Sequence, residues 1–308
     1  MRNILSYKYR LEWELRVSGG DYIAIDWGTS NRRVYSMRGD GSVLDSWRDD
    51  NGVTRMSPED YPREFAAIRA RNGKLPIIAA GMIGSSRGWR EVPYCSVPAN
   101  VADLAGECLA CEEDILLVPG VCDRSGGGAD VMRGEEVQVL GALRTEAIEG
   151  DALFCQPGTH NKWIETTGDR IASVATAMTG EIFDLLKSHS ILSEMLTGAV
   201  KTGPAFEDGV ERGAGAVDLM TALFQARAAA LLGVREAEET ASYVSGLLIG
   251  SDVGSRKNSP AREIILLASG DLAELYSAAI AQLGMKARHT DSSAAFVAGI
   301  HAIQEQLR

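Results

Sequence analysis

The sequence predicts an α/β fold of two related lobes, with mixed sheets flanked by helices. Three observations carry this prediction. Short β-rich runs alternate with amphipathic helical segments. A strand–Gly-Thr–strand–Gly-Asp–strand plan occurs twice. The length, 308 residues, exceeds what one small core usually organises.

The first copy of the plan opens with an apolar strand over residues 22–25 and the turn Asp26-Trp27-Gly28-Thr29-Ser30-Asn31. Strand 32–37 follows, ends at Gly39-Asp40-Gly41, and leads to strand 42–47. The second copy has strand 152–155, the turn Gln156-Pro157-Gly158-Thr159-His160-Asn161, strand 162–166, a Gly168-Asp169 turn and strand 171–175. A helix is expected to start at Ser57-Pro58-Glu59-Asp60, with Ser as N-cap and Pro at the first helical position. Tyr61, Phe65 and Ile68 share its buried face, and Gly73 closes it. Residues 75–80 and 115–118 read as buried strands. Helices are expected over 183–196, over 205–231 with a break at 209–215, and over 237–248. Strand 263–268 runs into Ser269-Gly270-Asp271 and helix 272–283, and a last helix covers 293–305. Gly126-Gly127-Gly128 reads as a flexible loop. The first lobe is expected over 21–148 plus 292–308 and the second over 149–291, with 1–20 as an extension outside the fold.

The formal net charge of −11 argues against nucleic acid or an anionic membrane as partner, since both need a cationic footprint. A small anionic substrate stays open, because a few local cations can hold one. No run approaches the ~18 apolar residues of a membrane span, and no secretory signal is visible. The expected location is cytoplasmic, with a homodimer left open. The five cysteines are spaced irregularly, and the lone pair Cys108/Cys111 lacks the second pair or histidines of a zinc site. Reduced thiols are expected.

A hairpin tip at Gly28-Thr29-Ser30-Asn31 can bind phosphate. Glycine admits close approach, backbone N–H groups donate, and a hydroxyl adds a donor. Asp26 at the strand end can hold Mg²⁺ directly or through water. Two such hairpins could clamp a triphosphate. No P-loop occurs, and no G-x-G-x-x-G sits between strand and helix. Phosphoryl transfer to an alcohol also needs a carboxylate near the nucleophile. Glu135 and Glu136 offer two at a helix start, where acids also arise for purely electrostatic reasons. The loop Gly81-Met82-Ile83-Gly84-Ser85-Ser86-Arg87-Gly88-Trp89 follows a strand and is either a substrate loop or a structural glycine-rich turn.

The stretches IAIDWGTSNRR (23–33), AAGMIGSSRGWREVPY (79–94), VPAN (97–100), VMRGEE (131–136), PGTHNKW (157–163), AMTGEIF (177–183), SGLLIGSDV (245–253) and AAFVAGI (294–300) occur in this order. On them the chain resembles the 2-dehydro-3-deoxygalactonokinase family, sugar-acid kinases of the actin, heat-shock-protein and hexokinase-like ATPase superfamily. The resemblance implies a ribonuclease H-like fold with ATP in the cleft between the lobes. It implies ATP and Mg²⁺ as cofactors and phosphorylation of 2-dehydro-3-deoxy-D-galactonate at the C6 hydroxyl. It makes residues 26–31 the first phosphate element, Gly158, Thr159, His160 and Lys162 part of the second, and the turn at Gly270 the adenosine side. It puts Glu135 at the place of the catalytic base, with Glu136 as alternative, where the wider superfamily has Asp. Gly81, Met82, Ser85, Arg87, Trp89 and Arg133 are then the substrate-side residues, with Arg87, Arg133 or Lys162 meeting the carboxylate or phosphates. A kinase for the gluconate epimer, or a nucleotide-binding switch on the same fold, are the alternatives.

Overall fold

The computed structural model describes residues 20–307 apart from 113, 126, 127, 147, 149, 216, 217 and 260–262. All but Gly20 of the expected extension lies outside the described residues, as do Gly126 and Gly127 of the expected loop.

In chain order the elements are β1 (Tyr22–Trp27), β2 (Arg32–Met37), β3 (Val43–Asp49), α1 (Tyr61–Asn72), β4 (Ile77–Gly81), β5 (Cys95–Ser96), α2 (Val101–Glu107), β6 (Leu109–Cys111), β7 (Ile115–Leu117), β8 (Val121–Asp123), β9 (Asp130–Met132) and α3 (Glu135–Thr145). There follow β10 (Ala152–Gln156), β11 (Asn161–Thr167), β12 (Arg170–Ala177), α4 (Thr179–His189), α5 (Pro204–Ala214), α6 (Leu219–Leu231), α7 (Ala237–Gly254), β13 (Ile264–Leu266), α8 (Gly270–Gln282), β14 (Ala287–His289) and α9 (Ser292–Gln306). The chain divides into two compact units: residues up to 149 with 166–174 and 292–308, and residues 150–165 with 175–291.

The two main sheets repeat one plan. The first has the order β3-β2-β1-β4-β7-β6 and the second β12-β11-β10-β13-β14. In each, the strand that ends in the Gly-Thr turn runs parallel to the next interior strand, β1 to β4 and β10 to β13. That strand is in turn parallel to its outer neighbour, β4 to β7 and β13 to β14. Strands covered on both faces read as unbroken apolar runs, as Ile77–Gly81 does with every residue buried. The edge strand β3 is exposed along most of its length and carries charges that discourage further pairing. A small sheet β5-β8-β9 belongs to the first unit and has no counterpart in the sequence reading.

The first core centres on Trp27, Tyr61, Phe65 and Trp89, whose rings meet edge-on, tilted or, for Tyr61 and Trp89, stacked, at centroid distances of 4.8–6.4 Å. Above it the buried Arg32 guanidinium takes both Asp49 oxygens and Glu64 Oε2, tying β2, β3 and α1 together. Helix α1 begins at Tyr61, with Pro62 in its first turn, rather than at Ser57. Ser57 instead bonds through its N–H and hydroxyl to Asp60 Oδ2, forming a turn that precedes the helix.

The second unit holds a correction of another kind. The expected break within 209–215 falls at its far end, where α5 stops at Ala214 with Gly215 as its cap; Gly209 and Gly213 do not break the helix, and α5 runs through both. They are where α5 crosses α7 at backbone contact. A Cβ on Gly209 would lie 2.2 Å from the Tyr243 carbonyl oxygen, and one on Gly246 would lie 2.1 Å from that of Phe206. The glycines are thus a packing requirement. We expect Gly209→Ala to lower unfolding stability by about 3 kcal/mol, through forced separation of the two helices. Urea unfolding checks this, and an unchanged midpoint would show that the crossing can open without cost.

Candidate active site

In the first unit, β1 delivers Asp26 and the tip Gly28–Asn31. The tip closes on itself through Gly28 N–H to Asn31 O at 2.9 Å. It is held from outside by residues 51–54. Val53 N–H donates to Gly28 O, and Thr54 donates to Thr29 O through both its N–H and its hydroxyl. Trp27 Nε1 donates to Asn51 O at 2.8 Å. Gly52 sits so close that a Cβ there would be 2.3 Å from Thr29 O. Sequence reasoning missed this support, because Asn51–Thr54 carries no chemistry of its own.

The register pairs Asp26 with Arg33 across the hairpin, and Arg33 Nη1 lies 3.6 Å from Asp26 Oδ2. Burial raises the Asp26 pKa to about 6; Arg33 opposes the rise and the charge of Glu135 adds to it. The head of α3 is therefore near Asp26. Gly134, at φ 111°, makes the turn into that helix, and its missing Cβ would stand 3.2 Å from Gly81 Cα. The two carboxylates of this helix start differ. Glu136 is fully buried, both its oxygens accept the Gly134 N–H, and burial followed by the Glu135 charge pushes its pKa to about 8. Glu135 is half-buried, with Oε2 accepting the Arg133 N–H at 2.9 Å.

The loop after β4 places its expected residues unevenly. Gly81 packs against the Trp27 carbonyl. Met82 starts a short 3₁₀ turn that Ser85 closes through its N–H and hydroxyl. The Trp89 ring lies in the aromatic core, 4.8 Å from Phe65. Arg87 is exposed. Arg133 is buried, stacks on Tyr94 at 4.2 Å and donates to Val92 O, while its Nε and Nη1 have no partner among the described residues.

In the second unit, the Gly158-Thr159 tip is held by the start of α4. Glu181 N–H donates to Thr159 O, and Gly180 abuts the Gly158 carbonyl, which a Cβ would approach to 2.5 Å. His160 Nε2 lies 2.5 Å from Glu181 Oε2. Lys162 is buried, with Nζ donating to Thr176 Oγ1. A pocket of about 280 Å³ adjoins this hairpin, lined by Gly158, Thr159, Thr179, Gly180, Phe183, Leu248, Ile249, Leu272, Leu275 and Tyr276 among others. It is mostly apolar with a few polar groups, the usual make-up of a small-molecule site. Gly270, at φ 63°, opens α8 two residues before the lining residue Leu272. Under the pocket wall the buried Asp252 carboxylate accepts from four side chains: Trp163, Asn161, Thr179 and Tyr276. The sequence reading quoted the stretch 245–253 that contains this residue but gave Asp252 no role.

A family model described as 2-keto-3-deoxy-galactonokinase matches residues 26–303. The chain belongs to this family. A curated relative from Escherichia coli (strain K12), 2-dehydro-3-deoxygalactonokinase, is 35% identical over 286 residues, spanning 92% of this chain and 97% of its own length. A crystal structure from Sinorhizobium meliloti, provisionally named for the same kinase, shares 35% identity over 92% of this chain and 97% of that one, with a TM-score of 0.83. At 10% identity, component A of an (R)-2-hydroxyglutaryl-CoA dehydratase from Acidaminococcus fermentans superposes with a TM-score of 0.50, covering 93% of this chain and 97% of that one. The fold is the two-lobed actin-like ATPase fold that the sequence predicts. Among the described residues no helix is long and apolar enough to cross a membrane.

Asp26 holds its proton more tightly in the folded chain than in the unfolded one, where the value is 3.8. Its contribution to stability is therefore complete below about pH 4 and is lost as pH rises through about 6. Asp26→Asn should flatten the stability profile between these values and raise stability above pH 6 by roughly 3 kcal/mol. Urea midpoints measured from pH 4 to 7 test this; parallel profiles for the two proteins would refute it.

Proposed function

We propose that this protein transfers the γ-phosphoryl group of ATP to the C6 hydroxyl of 2-dehydro-3-deoxy-D-galactonate, a step of galactonate breakdown. The observation that carries the reading is the family match over residues 26–303, which spans both Gly-Thr hairpins and the Glu135 helix start. In this reading the first unit carries the sugar acid and the base, and the second carries the nucleotide. A cytoplasmic location is part of the proposal, supported by five free, buried thiols.

Glu135 is the base. It is the half-buried one of the two helix-start carboxylates, and Asp26 lies close enough to feel its charge. It would orient the C6 hydroxyl and take its proton as the oxygen attacks. Glu136, enclosed and bonded to Gly134 N–H, fixes the helix start and so aims its neighbour. Asp26 is a part-buried carboxylate with water on one side, which fits a Mg²⁺ held directly or through water; such an ion would neutralise phosphate charge. Backbone N–H groups of the two tips, at Thr29 and at Gly158-Thr159, would meet phosphate oxygens, while Gly28 N–H, bonded to Asn31 O, keeps the first tip closed. Arg87, exposed in the loop after β4, and Arg133, whose Nε and Nη1 have no partner among the described residues, are the cations proposed for the substrate carboxylate.

ADP release measured against a panel of sugar acids tests the reading, with 2-dehydro-3-deoxy-D-galactonate expected to give the highest kcat/KM. A preference for the gluconate epimer would move the assignment to that acid, and no turnover with any member would point to a nucleotide switch. Glu135→Gln should retain ATP affinity and lose about two decades or more of kcat. A near-normal rate would sink the base assignment.

A further inference from the structure

We infer that Asp252 is a positioning residue for the nucleotide, setting the second phosphate hairpin and the wall of the nucleoside pocket against one another. The inference rests on the reading above that ATP occupies the second-unit pocket.

Asp252 lies on α7 and is 8% exposed. Its Oδ2 accepts from Asn161 Nδ2 at 2.6 Å, Thr179 Oγ1 at 3.0 Å and the Tyr276 hydroxyl at 2.9 Å. Its Oδ1 accepts from Trp163 Nε1 at 2.7 Å. These donors come from β11, the first turn of α4, and α8. A buried carboxylate without a cation on it is tolerated only where hydrogen bonds replace its water, and four donors do that here.

The positions of the donors give the network its consequence. Asn161 directly follows the hairpin tip Gly158–His160 in sequence. Thr179 directly precedes Gly180, which abuts the same tip. Both flanks of the tip are thus referenced to one carboxylate. Tyr276, bonded to the same oxygen as Asn161 and Thr179, lines the pocket with Thr179. Burial and the Asp252 charge hold the Tyr276 hydroxyl protonated, so it remains a donor. Only an acceptor with two oxygens satisfies this arrangement. An asparagine keeps one oxygen and turns an NH₂ group onto other donors. Asp252 is not among the residues that line the pocket; it acts through the groups it holds.

Titration of ATP onto the full chain by calorimetry tests the inference, because it needs no sugar acid. Asp252→Asn should weaken ATP binding about tenfold, the worth of one charge-assisted hydrogen bond. As a control for lost stability alone, Ile280→Val in the same core should lower Tm and leave the ATP Kd within about twofold. If Asp252→Asn does not fold, Asn161→Leu decides. It removes one donor outside the pocket lining and should weaken ATP binding in the same direction. An ATP Kd for these variants that matches wild type, or that merely follows Tm as in Ile280→Val, would overturn the positioning role while leaving the kinase reading intact. No ATP binding by the wild-type chain would overturn both.

Discussion

A glycine-rich hairpin tip cannot hold its own shape, and this constraint organises both units. Removing side chains lets a phosphate approach the backbone, but it also removes the atoms that would pack the turn in place. Each unit answers with an outside segment whose N–H groups bond to the tip carbonyls. Residues 53 and 54 do so for Gly28 and Thr29, and Glu181 does so for Thr159. In both cases a second glycine, Gly52 or Gly180, lets the supporting backbone come close enough. Both tips are thus held in shape before any anion arrives, so a bound anion need not spend its interaction energy on ordering them.

The electrostatics of the first unit follow from the same crowding. A Cβ on Gly81 would come within 2.7 Å of the Trp27 carbonyl oxygen, and one on Gly134 within 3.2 Å of Gly81 Cα. Those contacts bring the end of β1 and the head of α3 together, and with them Asp26, Glu135 and Glu136. Three acids gathered this way would repel one another if all were ionised in full. Burial raises the proton affinity of Asp26 and Glu136, Arg33 offsets part of the charge, and the N–H groups at the start of α3 take up the rest. Glu135 is thereby distinguished from its neighbour by exposure to solvent, a difference that two adjacent identical letters in a sequence cannot express.

Much of the architecture was legible because it rests on local chemistry. The paired hairpins are spelled by Gly-Thr and Gly-Asp turns between apolar runs, and the interior strands by their unbroken hydrophobicity. Features that depend on distant partners were not legible. Gly209 and Gly213 looked like helix breakers because their reason for being small lies on α7, some forty residues away. The start of α1 was placed at Ser57, whose hydroxyl does bond to Asp60, yet the helix begins at Tyr61 with Pro62 in its first turn. The two-residue strand β5 and the three-residue β8 and β9 are too short to leave a period. Trp89 read as a loop residue facing a ligand, and its ring is part of the aromatic core. Asp252 lies in the quoted stretch 245–253 but received no role, because its partners are scattered over more than a hundred residues of chain, from Asn161 to Tyr276.

The crossing of α5 and α7 constrains the history of the chain as well as its stability. At Gly209, Gly213, Gly246 and Gly250 the helices meet through backbone, so these positions have no side-chain volume to trade. An enlarged residue on one helix cannot be matched by a reduced one on the other, since both are already at the minimum. Compensating pairs, the usual route by which cores drift, are closed off along this line. Variation in these helices is confined to faces turned away from the crossing, and relatives that diverge widely elsewhere should keep small residues at positions 209, 213, 246 and 250.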